Sequence, residues 1–150
     1  MRVRCNFMVD IVNETDIDFD KSIFDFIFDM MKSDSVFVSD ATVTLKLSKN
    51  NEIKGLNSRF RGCDSVTDVL TFPCCIPNIA FIGDIIVDVG QAERQRGSRT
   101  LEKEVCILFI HGLLHLAGFD HLSKKESERM YLYENKYRDR LNKERNNLWK

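Results

Sequence analysis

Between Val105 and Ala117 nearly every position is apolar. Ile107, Leu108, Phe109, Ile110, Leu113, Leu114 and Leu116 point to all sides of a helix that the pattern places at about Thr100 to Ala117. A helix without a polar face has to be covered by the rest of the domain. This segment therefore belongs at the centre of whatever fold the chain adopts. It nevertheless carries His111 and His115, and with His121 these are the only three histidines of the 150 residues.

The spacing H-x-x-x-H-x-x-G-x-x-H suits a metal centre. Residues four apart on a helix share a face, roughly 6 Å from each other, so His111 and His115 can aim at one ion. A third ligand must come from outside the helix. Gly118 is suited to the left-handed turn just past a helix end and lets the chain bring His121 back. Three protein nitrogens with a fourth position open is the catalytic rather than the structural zinc arrangement. Three unrelated histidines on a core helix and a loop are the simpler alternative, and the spacing with the glycine argues against it. The spacing matches the metzincin proteases, but those carry a glutamate general base directly after the first histidine. Here that position is Gly112. A metal can still lower the pKa of its own water and polarise a phosphoryl oxygen, with a different proton-transfer group or none.

A chain of this length predicts one domain, residues 1–150, with a full core. Hydrophobic content of 43% and charged content of 30% fit a globular protein. No apolar run reaches the roughly 20 residues that span a bilayer, and no signal peptide is visible, so the expected location is the cytoplasm, away from membranes. Five cysteines, an odd number, are expected as reduced thiols there. The adjacent Cys74 and Cys75 suggest thiols more than a second metal site. Net charge is -1, unevenly spread: Ser123 to Lys150 holds nine Lys/Arg against five Asp/Glu. That segment is either a nucleic-acid contact or a solvated helix with mixed i,i+4 pairs.

Along the chain, residues 2–12 predict a first strand. Asp18 or Asp20 caps a helix through Lys32 with Ile23, Phe24, Ile27, Met30 and Met31 as its apolar stripe. Residues 42–48 alternate as a half-buried strand, and 50–60 read as a short helix. Residues 66–72 and 79–87 are strands joined through Pro73 to Pro77, and 89–96 form a short helix ended by Gly97. Ser123-x-x-Glu126 is a capping box that starts the last helix just after His121.

These residues resemble a known family. The run from His111 to His121 is similar to the H-G-x-L-H-L-x-G-[YF]-D-H signature of the bacterial YbeY family of metal-dependent endoribonucleases. Leu56 to Pro73 resembles that family's L-N-x-x-[YF]-R-G-x-D-x-x-T-D-V-L-S-F-P block, Gly83-Asp84-Ile85 its G-D-I strand, and Glu104 falls where it often has glutamate. Departures are Cys63 for a common lysine, Thr71 for serine and Phe119 for tyrosine. The resemblance implies an α+β fold: a single compact, zincin-like domain with a small mixed sheet and a buried metal-bearing helix. It implies one zinc ion on His111, His115 and His121, and Arg61 as a catalytic residue in the cleft. It also implies single-stranded RNA and precursor ribosomal RNA as substrates, 3′-end maturation of 16S rRNA, ribosome quality control, and the ribosomal small subunit and assembly factors as partners.

The chemistry is coherent, because a metal and a guanidinium both suit the charge that develops on phosphoryl oxygens. Arg59, Arg94, Arg96 and Arg99 are candidate RNA contacts, each with solvated surface as its alternative. Glu104 either lines the cleft or holds a neighbouring donor, or it favours the helix N-terminus. Asp120 either supports His121 or stabilises its turn. Two competing functions are a metallohydrolase acting on another substrate, such as protein, and a non-enzymatic ribosome-assembly factor with a structural metal.

Overall fold

Strands β1 (Val9–Asn13), β2 (Thr42–Ser48), β3 (Val69–Pro73) and β4 (Phe81–Asp88) form one sheet in the order β1-β2-β4-β3. The computed structural model describes residues 8–49, 68–120 and 122–145. β1 and β4 both run parallel to β2, while β3 is antiparallel to β4 and closes one edge. Alternation sets the faces. Val43, Leu45 and Leu47 of β2 and Ile85 and Val87 of β4 enter the main core, whereas Ile86 turns to the other face and joins Leu70 and Phe72 in a small separate cluster.

Four helices, among the described residues, cover the sheet: α1 (Lys21–Ser33), α2 (Val89–Gln95), α3 (Leu101–Leu116) and α4 (Lys124–Glu144). Each starts on a side chain that accepts an otherwise unpaired amide. Asp20 takes Ser22, Asp88 takes Gln91, Thr100 takes Lys103 and Ser123 takes Glu126. Asp20 is thus the cap, not Asp18. The α1 stripe contains the five expected residues and also Phe28.

The apolar helix α3 is the hub. It lies on β3 and β4 and is covered by α1, α2 and α4. Val105, Cys106, Phe109, Ile110, Leu113 and Leu114 are fully buried, each large one contributing about 1.5–3 kcal/mol by leaving water. Phe109 meets Phe24 of α1 edge-on, centroids 5.4 Å apart. Gly112 rests on the sheet: a Cβ there would lie 2.9 Å from Ile85 Cγ2. The contact joins the glycine of the histidine run to the isoleucine of Gly83-Asp84-Ile85.

The α+β architecture is as expected, with boundaries shifted. β1 extends to Asn13, and the expected residues before Met8 lie outside the described ones. β3 starts at Val69 and keeps Pro73, which an edge strand tolerates because its missing N–H faces away from the ladder. β4 starts at Phe81, because Asn78 takes a positive φ of 63° and turns the chain before it. The helix expected at 50–60 lies outside the described residues. No helix among the described residues is long and apolar enough to cross a membrane.

Helix α4 is tied back to the end of α1 at Asp34. The Tyr137 hydroxyl donates to Asp34 Oδ2 at 2.9 Å, Arg140 Nη1 at 2.6 Å and Lys136 Nζ at 3.3 Å. Burial works against the Asp34 charge, but these donors and cations outweigh it and hold the carboxyl below its ordinary value. Burial, then the bond to Asp34, pushes the Tyr137 hydroxyl upward. A carboxyl depressed in the folded state contributes stability above its unfolded value near 3.8, and that contribution disappears as pH falls through the folded value. Tyr137→Phe should cost about 1 kcal/mol at neutral pH. The deficit should shrink as pH falls below that range, as checked by urea unfolding at pH 7 and pH 3.

Candidate metal centre

Helix α3 delivers His111 and His115 to one point. Their Nε2 atoms stand 3.1 Å apart, with the rings edge to face and centroids 4.6 Å apart. The opposite nitrogens are each held by an acceptor. His111 Nδ1 faces Glu134 Oε1 of α4, and His115 Nδ1 lies 3.1 Å from the Phe119 carbonyl. A carboxylate and a carbonyl can only accept, so each Nδ1 donates its proton. The facing Nε2 atoms, at hydrogen-bond distance, either share one further proton or both turn their lone pairs to a cation between them. The separation also fits two imidazoles that each sit about 2.0–2.1 Å from one zinc ion. The donor set therefore fits a bound ion.

The Phe119 carbonyl is positioned by the way α3 ends. The Phe119 amide donates to the Leu114 carbonyl at 3.0 Å and the Gly118 amide to the His115 carbonyl at 3.0 Å, which together make a Schellman termination. Its left-handed position is Gly118, with φ 101°, a conformation that strains any residue with a Cβ. The turn then passes exposed Asp120 and leads into His121. His121 lies outside the described residues, as do Arg61 and Arg59.

Glu134 is the site residue that sequence reasoning missed. A signal was present. Met130, Tyr137 and Leu141 are the buried residues of α4, so 130, 134, 137 and 141 form one stripe. Glu134 is the carboxylate inside that stripe, 20% exposed at its side chain. A charge there requires a partner within the domain, and the partner is His111.

The remaining candidates stand elsewhere. Glu104 is 4% exposed and accepts from Arg99 Nη1 at 3.0 Å. The pair sits in the first turn of α3, about 10 Å along the axis from His111, so Glu104 holds a neighbouring donor rather than lining the histidine site. Arg96 reaches the Arg99 carbonyl at 2.8 Å and Glu93 at 3.0 Å, and Arg94 holds Gln91 at 2.9 Å. Arg96 and Arg99 link the end of α2 to the start of α3, while Arg94 bonds within α2.

Cysteine is also set apart. Cys74, Cys75 and Cys106 are unbridged. Among the described residues no three potential ligands cluster, Cys74 and Cys75 included. Burial, with Glu102 adding to it, pushes the Cys106 thiol well up, which keeps it from the thiolate form that binds metal.

Position 112 bears on the chemistry. A side chain begun at Gly112 would run into Ile85, so a metzincin-type glutamate there would have to displace the Ile85 side chain or α3 itself. The described centre is two imidazoles oriented by a carboxylate and a carbonyl.

Comparison with known proteins gives consistent results. The profile of a family described as endoribonuclease YbeY matches residues 10–142. A protein of that name from Nautilia profundicola is 36% identical over 117 residues, covering 76% of this chain and 78% of the relative. One from Helicobacter pylori is 33% identical over 125 residues, covering 81% and 84%. A solution structure of a Thermotoga maritima protein superposes with a TM-score of 0.62 at 32% identity, covering 94% of each chain.

Glu134→Gln tests the orienting carboxylate. The amide keeps the shape but lacks the charge that raises imidazole basicity, so zinc affinity should fall about 10–100-fold with the fold intact. Competition against a chelating dye measures the affinity, and unchanged affinity would remove Glu134 from the centre.

Proposed function

The chain belongs to the YbeY family of endoribonucleases, and from that premise we propose that it is a zinc-dependent endoribonuclease that cuts single-stranded RNA. Its place would be the maturation of ribosomal RNA at the 3′ end of the 16S molecule and ribosome quality control, in contact with the small subunit and its assembly factors. The observation that carries the metal part is the facing Nε2 pair at 3.1 Å, with both Nδ1 atoms held by acceptors. His121, which follows the turn directly, would be the third ligand.

When bound, zinc would polarise a phosphoryl oxygen and lower the pKa of a water molecule. The chain's own residues do the rest. Glu134 and the Phe119 carbonyl fix the two imidazoles, so no reorganisation is needed when charge develops at the phosphate. Arg61, carried over from the family block, would offer a planar guanidinium to two phosphoryl oxygens. Gly112, packed on Ile85, speaks against peptide hydrolysis through a metzincin glutamate.

A labelled single-stranded RNA, incubated with purified protein, tests the reading. Cleavage should stop on chelation and return with zinc. Arg61→Ala should retain zinc and lose cleavage by about 10²–10³-fold, while His115→Ala should lose the metal itself. Cleavage of casein but not RNA would overturn the proposal.

A further inference from the structure

A cavity of about 250 Å³ opens between the end of α1, the turn after α3 and one face of α4. Its walls are aromatic and cationic. The rings of Phe119 and Tyr133 lie 4.7 Å apart, and the Arg129 guanidinium stands over both, 4.9 Å from Phe119 and 5.9 Å from Tyr133. Lys136 Nζ is 5.7 Å from the Tyr133 ring. The one wall carboxylate, Asp34, is already engaged by Lys136, Arg140 and the Tyr137 hydroxyl. Among the described residues, Arg129 meets no carboxylate and lies over the two rings.

Phe119 is common to the cavity and the candidate metal centre. Phe119 supplies the carbonyl that holds His115, and Tyr133 precedes the glutamate that holds His111. Rings joined to a guanidinium that meets no carboxylate among the described residues suit an unpaired nucleotide. The base finds a stacking surface, and its phosphate finds a cation. A paired base is already stacked in its helix and cannot use such a surface.

We propose that this cavity is a nucleotide subsite. Phe119, Tyr133 and Arg129 take one unpaired base of a single-stranded RNA next to the bond being cut, and Arg129 and Lys136 take its phosphate. The proposal rests on the endoribonuclease reading and adds the residues that select a single strand over a duplex.

The test uses the full-length zinc protein and a fluorescein-labelled 2′-O-methyl octaadenylate, read by anisotropy, beside the corresponding duplex. Arg129→Ala and Tyr133→Leu should each bind the single strand about tenfold more weakly. The Arg129 variant should also flatten the slope of log affinity against log salt by about 0.7. Zinc content should be unchanged, and on cleavable RNA KM should rise with kcat retained. Binding by Arg129→Ala within twofold of the parent, with cleavage intact, overturns the subsite and leaves the reaction standing. Arg129-dependent binding without any cleavage by the parent protein overturns the reaction and leaves the subsite. A parent protein that binds no single strand overturns both.

Discussion

Two imidazoles set into an otherwise apolar, buried helix create a demand that the surrounding structure has to meet. Both rings are half-buried, and a ring nitrogen turned into the domain needs a partner there. One nitrogen of each ring is answered by the protein, His111 through Glu134 and His115 through the Phe119 carbonyl. The acceptors come from different elements, so the site exists only when α4 is docked and the turn after α3 is closed. The Asp34 cluster, which ties α4 to α1, is therefore also a support of the paired histidines.

The same packing narrows the chemistry. Helix α3 approaches β4 closely enough that a glycine must stand at 112 over Ile85. A residue that supplies a general base in one class of metallohydrolases is here spent on helix–sheet contact. The described residues around the proposed ion would suit charge stabilisation more than proton abstraction, and phosphodiester cleavage is a reaction in which charge on phosphoryl oxygens dominates.

The parts of this arrangement that depend on short spacing were legible in the amino-acid sequence. His111 and His115 follow from helical geometry, Gly118 from the left-handed turn glycine permits past a helix end, and Ser123 from its capping-box spacing to Glu126. The burial of α3 followed from its lack of a polar face. Contacts between distant segments were not legible. Glu134 is 23 residues from His111, and only the phase of the buried stripe on α4 marks it. The arginines at 94, 96 and 99 look like a basic patch when read along the chain, yet each is taken up by local acceptors. Arg129 drew no attention as one charge among many, because its surroundings are set by the turn that carries Phe119. The Arg61 assignment still rests on family likeness.

The proposed centre is a zinc ion held by imidazole nitrogens with an open position beside them, and X-ray absorption at the zinc edge of the full-length, zinc-loaded protein reads those ligands. One equivalent of zinc per chain is expected, with a first shell of nitrogen and oxygen at about 2.0–2.1 Å and the outer-shell scattering of three imidazoles. A sulfur shell at about 2.3 Å, or a protein that retains no stoichiometric zinc, would contradict it.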